Sequence, residues 1–141
     1  YSPESLKFSA HEKGANPEAK ALEVWNSGEG ILTWQLHSDS PWLTVSPDGG
    51  QSSGEKDVVS VALDISGLTV GTYAGAIRIE SSDVAAGSVA VPVTLTVEEA
   101  LAIISVSPAS LTFSVLLSQG DPLPQTLYVR NLGGGEMSHQ A

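Results

Sequence analysis

The sequence contains no cysteine, so neither a disulfide bond nor a thiolate metal site can form in it. Basic residues are few: six Lys and Arg stand against 16 Asp and Glu, which gives a net charge of −10. A chain with this charge repels nucleic acid phosphates and anionic membrane surfaces, so neither is expected as a partner. No apolar run approaches the roughly 20 residues of a membrane helix, so membrane insertion is not expected.

Patterns of metal-binding and catalytic residues are also missing. His11, His37 and His139 are far apart, and none belongs to an HxH or HExxH pattern. The glycine clusters complete no GxGxxG fingerprint, and the carboxylates are dispersed rather than paired. The sequence therefore predicts no catalytic residue, no metal and no cofactor, and we do not expect an enzyme.

A repeat is the main organising feature that is present. The segment SPESLKFS at 2–9 returns 105 residues later as SPASLTFS at 107–114. Three further residues match at the same spacing, namely Leu22, Val24 and Asn26 with Leu127, Val129 and Asn131. This period suits an array of independent sandwich domains. We predict a complete domain at 1–97, a short linker at 98–106 and the incomplete start of a second domain at 107–141.

Apolar residues alternate with polar ones through most of the first domain, which is typical of short strands. Turn formers separate these strands, with a turn expected at 46–50 and a polar loop at 51–56. No segment has strong helical periodicity. The predicted fold is all-β, an immunoglobulin-like antiparallel β-sandwich of about seven strands followed by a partial second sandwich.

Three aromatic residues are predicted to have structural roles. Trp34 is in phase with Leu32 and Leu36 on its strand, so its indole should lie in the core. Phe8 belongs to the apolar set of the first strand. Tyr73 follows a loop at the position of a tyrosine corner, where its hydroxyl would bond backbone upstream.

Two other tryptophans are the candidates for ligand binding. Trp25 alternates with the apolar residues of its strand, so it should face solvent, where an indole can stack on a sugar ring. Trp42 is out of phase with Leu43 and Val45, and it suits either a stacking surface or a lid over the core. Because the counterpart of Trp25 in the second copy is Arg130, a binding role would not be shared by both copies.

Five motifs together resemble bacterial BACON domains: VWNSG at 24–28, LTW at 32–34, SPWLTVSP at 40–47, GTYAG at 71–75 and VPVTLTV at 91–97. The resemblance implies an immunoglobulin-like fold in large secreted or surface proteins, often in tandem and beside carbohydrate-active modules. The family name reflects a proposed carbohydrate-binding role, whereas many members look like spacers.

Two functions remain open. The first is a non-catalytic structural or spacer module of an extracellular or surface-attached bacterial protein, with other copies of itself or neighbouring repeats as partners. The alternative is a carbohydrate-binding module that uses Trp25, together with Trp42, to bind a polysaccharide. The incomplete second copy is either an excerpt of a longer array or a set of strands that pair or swap between chains into dimers or filaments.

Overall fold

The computed structural model describes residues 1–81, 87–116 and 120–138, and every helix or strand among them is a β-strand. The predicted all-β class is therefore confirmed. In this described part, no helix has the length and apolarity to cross a membrane. The chain divides into two units, Tyr1–Glu99 and Ala100–Ala141, called the first and second unit below.

The first unit is built from two sheets. Its strands are β1 (Leu6–His11), β2 (Lys20–Trp25), β3 (Leu32–Ser38), β4 (Leu43–Ser46), β5 (Gly49–Ser52), β6 (Lys56–Leu63), β7 (Gly71–Ser81) and β8 (Ser88–Glu98). One sheet has the order β1-β8-β7-β3-β5, and the other has the order β2-β6-β4. Long-range pairing of strands far apart in sequence therefore holds both sheets together.

The core of the first unit draws side chains from both sheets. Because successive residues of a strand point to opposite faces, every second position is buried, as in β6 and β8. The buried apolar side chains are Leu6, Phe8, Leu22, Val24, Trp34, Leu36, Leu43, Val59, Val61, Leu63, Ile65, Ile77, Val91, Val93, Leu95 and Val97. The alternating pattern of the sequence thus marks the inner face of each sheet.

Strand β5 is one strand more than the sequence pattern predicts, since that pattern favours a turn at 46–50 and a loop at 51–56. In the structure, β5 pairs with β3 and Gly50 lies opposite Trp34. A Cβ on Gly50 would lie 2.5 Å from Trp34 Cζ2, so the indole needs a glycine at this position. The glycines that suggest a turn therefore make room for the largest core side chain.

Strand β1 departs from the predicted antiparallel arrangement. It pairs with β8 in parallel, with Leu6 opposite Val93 and Phe8 opposite Leu95. The other strand pairs of the first unit are antiparallel. Since β1 and β8 lie at opposite ends of the unit's sequence, no short hairpin fixes their relative direction.

The second unit contains two strands among its described residues, β9 (Ile104–Ser107) and β10 (Tyr128–Asn131), which form an antiparallel pair. The expected linker at 98–106 thus includes Glu98, the last residue of β8, and the first three residues of β9. A two-stranded sheet is only marginally stable in water by itself. The second unit therefore has far less internal support than the first.

Candidate functional site

Trp25 lies at the end of β2, half-buried, and alternates with the buried Val24. Lys56 is directly opposite it on β6, and the Lys56 ammonium lies 4.9 Å from the centroid of the Trp25 ring. The same Nζ is 2.7 Å from Glu23 Oε2, which holds the cation in place. This cation–π contact occupies one face of the indole, a face that a sugar would need for stacking.

Trp42 packs against the core cluster as a half-buried lid. Its ring meets the Tyr73 ring edge to face, with centroids 6.4 Å apart and an interplanar angle of 65°. A Cβ on Gly75 would lie 3.1 Å from Trp42 Cζ2, so this close approach also depends on a small residue. The sequence allows Trp42 to be either a stacking surface or a lid over the core, and in the structure it is a lid.

The two tryptophans lie at opposite ends of β6. Trp25 is opposite Lys56, whereas the Trp42 carbonyl accepts a hydrogen bond of 2.9 Å from the Asp64 amide. At about 3.3 Å per residue, the eight steps from Lys56 to Asp64 separate them by roughly 26 Å. Trp25 and Trp42 therefore do not form a common binding site.

Trp34 and Phe8 are both buried in the core. Trp34 is 1% exposed, and its Nε1–H donates a hydrogen bond of 2.8 Å to Asp57 Oδ2. Phe8 is 5% exposed, with the Lys20 ammonium 5.1 Å from its ring centroid. The sequence pattern did not point to Asp57 or Lys20, because each lies on a different strand or loop from its aromatic partner.

The Tyr73 hydroxyl closes the loop that precedes β7. It donates a hydrogen bond of 2.8 Å to the Thr69 carbonyl oxygen and accepts one of 3.0 Å from the Thr69 amide. This is the geometry of a tyrosine corner, in which a phenol ties the loop to the start of the strand. A phenol engaged in this way is not directed at a ligand.

Contrary to the expectation that catalytic patterns are missing, Ser52 stands in a Gly-x-Ser-x-Gly sequence at 50–54, the pattern of a hydrolase nucleophile. The structure decides against that role. Ser52 is fully buried at the end of β5; its Oγ donates to the Glu55 carbonyl oxygen at 2.7 Å and accepts from the Asn26 amide at 3.0 Å. A nucleophile needs an exposed oxygen beside a base, whereas this hydroxyl links two turns.

Three carboxylates have a pKa below the usual range, each through local hydrogen bonds. The Ala76 amide and the Ser40 hydroxyl lower the pKa of Asp39, and Asp39 Oδ1 lies 2.8 Å from each donor. The Ser53 hydroxyl lowers the pKa of Glu55, and the Ser66 amide lowers that of Asp64. A general acid needs a raised pKa, so the lowered pKa values do not favour that role for these three carboxylates. The described residues contain no cluster of His, Asp and Glu that could hold a metal ion.

Several clefts open on the described part of the first unit. One, of about 630 Å³, is lined by the loops at 12–16 and 64–69. A second, of about 370 Å³, lies beside Trp25, where Tyr1, Leu32, Ile79 and Val89 provide much of its wall. Since it combines an aromatic ring, apolar side chains and the polar Asn26, Ser27 and Glu80, the second cleft is the better candidate for a ligand.

The turn next to this cleft occurs twice in the chain. In the first unit, Asn26 Oδ1 accepts from the Gly28 amide at 2.9 Å, and Asn26 Nδ2 donates to the Gly30 carbonyl oxygen at 3.0 Å. Asn131, 105 residues later, makes the same two hydrogen bonds within 131–135. The repeated letters of the sequence therefore give the same two side-chain hydrogen bonds in both units, although the φ of Gly30 is 83° and that of Gly135 is not positive.

A family model described as the viral BACON domain matches residues 1–96. The chain belongs to this family. The BACON resemblance of the sequence is thus confirmed, although the matching model is the viral one. BACON domains are a non-catalytic domain family, and the match covers the described sandwich as far as Thr96 in β8.

Solved structures similar to this BACON chain share its fold at low identity. SSP-19, an MSP-domain protein of Caenorhabditis elegans, is 17% identical with a TM-score of 0.51, over 67% of this chain and 95% of that one. A second similar structure is the CsuC–CsuE chaperone–tip adhesion subunit pre-assembly complex of Acinetobacter baumannii Csu pili. It is 14% identical with a TM-score of 0.54, over 93% of this chain and 70% of that chain. These likenesses confirm the immunoglobulin-like sandwich.

A Bacteroides ovatus GH5 xyloglucanase in complex with a XXXG heptasaccharide is also similar, at 14% identity and a TM-score of 0.45. The alignment takes 67% of the BACON chain but only 17% of the enzyme, so this chain corresponds to a small part of that protein. A search of curated protein sequences found no significant match.

Proposed function

We propose that the chain is a non-catalytic structural module, a repeat that spaces or assembles a larger extracellular protein. Membership of a non-catalytic family supports this, as do the structural hydrogen bonds of the candidate nucleophile and carboxylates. The proposed setting is a bacterial cell surface, as the sequence resemblance implies, or the outside of a virus particle, since the matching family is viral.

The assembly role rests on one observation, the exposure of apolar side chains in the second unit. Phe113, Leu127 and Val129 are 51%, 46% and 47% exposed, whereas their counterparts Phe8, Leu22 and Val24 are 5%, 0% and 3% exposed. Side chains of this pattern need a second layer of strands, which the described residues of the second unit do not provide. We infer that strands beyond the described residues, of the same chain or of another one, complete this unit.

Light scattering at increasing protein concentration tests the assembly role. We expect the mass of the full chain to rise with concentration, whereas residues 1–99, which have a complete core, stay monomeric. Leu127→Ser should weaken the association because it removes an apolar contact. Ile31→Ser is the matched control, since Ile31 is 71% exposed in the first unit. Monomers at all concentrations for the full chain would contradict the assembly role.

Polysaccharide binding is the second candidate function, and the cleft beside Trp25 is the observation that favours it. A glycan array combined with tryptophan fluorescence tests it, with Trp25→Ala as the variant and Trp42→Ala as the control at the other end of β6. If the structural role is right, we expect no glycan to change the fluorescence. Binding that Trp25→Ala abolishes and Trp42→Ala retains would make carbohydrate recognition the better function.

A further inference from the structure

In the second unit, the segment that precedes β9 lies across the asparagine turn. The Ile103 amide donates to Asn131 Oδ1 at 3.0 Å, and the Ile103 carbonyl oxygen accepts from the Leu132 amide at 2.8 Å. The Gly135 amide donates to the Leu101 carbonyl oxygen at 2.9 Å. The residues ahead of the strand are therefore held by the domain that follows them.

The glycines of this turn are required by the same contact. A Cβ on Gly133 would overlap the Leu101 carbonyl oxygen, and a Cβ on Gly135 would overlap the Ala100 carbonyl oxygen. Glycine allows another backbone to approach this closely because it has no side chain. The Asn-x-Gly-x-Gly sequence of the second unit is thus explained by a chain segment that crosses it.

The corresponding turn of the first unit has the same sequence features without that segment. The counterparts of Leu132 and Gly135 are Ser27 and Gly30, and among the described residues their amides have no hydrogen-bond partner. A Cβ on Gly28 would meet only Asn26 Oδ1, at 3.5 Å, and the φ of Gly28 is not in the left-handed region. Nothing in the described first unit therefore requires glycine at position 28.

The strand register extends the comparison to the cleft. Ser2 pairs with Glu23 just as Ser107 pairs with Tyr128, 105 residues later. In this register Tyr1 corresponds to Val106, and a residue two positions before Tyr1 corresponds to Ile104. Since residues two apart share a sheet face, that residue would lie on the side of Tyr1, whose ring lines the 370 Å³ cleft with Ile79 and Val89.

We propose that the Asn26–Gly30 turn and this cleft form a docking site for an extended apolar connector, the kind of segment that occupies 100–105. The connector reaches the site from a preceding repeat, directly ahead of Tyr1. It pairs with the open edge of β2, donates to Asn26 Oδ1, and accepts from the amides of Ser27 and Gly30. Each connector then belongs to the sandwich that follows it, which fixes the joint between repeats. The inference does not depend on the self-association proposed above.

The test is a fusion of Ala-Leu-Ala-Ile-Ile-Ser, the sequence of residues 100–105, directly before Tyr1 of the full chain. This extension reproduces the 105-residue register. We expect hydrogen exchange of the Ser27 and Gly30 amides, followed by NMR, to slow by about tenfold or more, because newly bonded amides exchange only after local opening. An extension of equal length made of Gly and Ser is the matched control and should leave both exchange rates unchanged.

Gly28→Ala separates docking from a general effect of added residues. In the unextended chain it should leave exchange at Ser27 unchanged, since the space around Gly28 is open. In the extended chain it should abolish the protection, because its Cβ occupies the place of the connector carbonyl. The proposal is overturned if the extension protects neither amide, or if protection survives Gly28→Ala. Protection that is already present without the extension and grows with concentration would assign the site to another copy of the chain instead.

Discussion

Replacing Trp34 with alanine should lower the free energy of unfolding of the first unit by about 3–5 kcal/mol. The indole is 1% exposed and lies over Gly50, so its removal leaves a cavity between the two sheets. It also leaves the Asp57 carboxylate without the 2.8 Å hydrogen bond from Nε1. Because small domains are stable by only about 5–15 kcal/mol, a large part of the total stability would be lost.

Urea unfolding followed by circular dichroism measures this loss without relying on the deleted fluorophore. Trp25→Ala is the matched control, since the Trp25 ring is half-buried and has the Lys56 ammonium over one face. We expect its effect to be clearly smaller than that of Trp34→Ala. Equal losses for the two variants would mean that burial between the sheets does not decide the role of these tryptophans.

Most of the fold follows from local sequence. A strand period of two identifies the inner faces, because a buried position on one side of a sheet recurs at every second residue. The same rule separates Trp34, in phase with its apolar neighbours, from Trp25. It misses β5, since Gly49-Gly50 resembles a turn until the Trp34 ring on another strand is known. It also misses the parallel pairing of β1 with β8, which no turn sequence encodes.

The candidate sites are less predictable, because contacts across strands determine them. That Trp25 faces away from Val24 follows from alternation, but its cover by Lys56 depends on the register between β2 and β6. The lid position of Trp42 depends on Tyr73 and Gly75, which lie on β7. A reason for glycine at position 28 appears only by comparison with Gly133, its counterpart 105 residues later. A Cβ on Gly133 would overlap the Leu101 carbonyl oxygen.

Alanine at Phe8 and alanine at Phe113 should have very different effects, although the two residues occupy equivalent positions of the repeated sequence. Phe8 is 5% exposed in a complete core, so Phe8→Ala should lower the free energy of unfolding by about 3–5 kcal/mol. Phe113 is 51% exposed, so Phe113→Ala should change it by less than about 0.5 kcal/mol in the monomer. Urea unfolding followed by circular dichroism suits this pair, because it reports the strands of both units, whereas all three tryptophans lie in the first unit.

The same two variants also test whether another chain buries the exposed apolar side chains of the second unit. If strands of another chain bury Phe113, then Phe113→Ala should weaken association in light scattering while the unfolding midpoint of the first unit stays unchanged. Phe8→Ala should do the reverse, since the aromatic ring it removes lies inside a finished sandwich. A Phe113→Ala variant that associates as strongly as the parent chain would show that this ring is not part of the assembly contact. In that case, the second unit would be completed through its other exposed apolar residues. These are Val129 on β10 and Leu127, which directly precedes that strand.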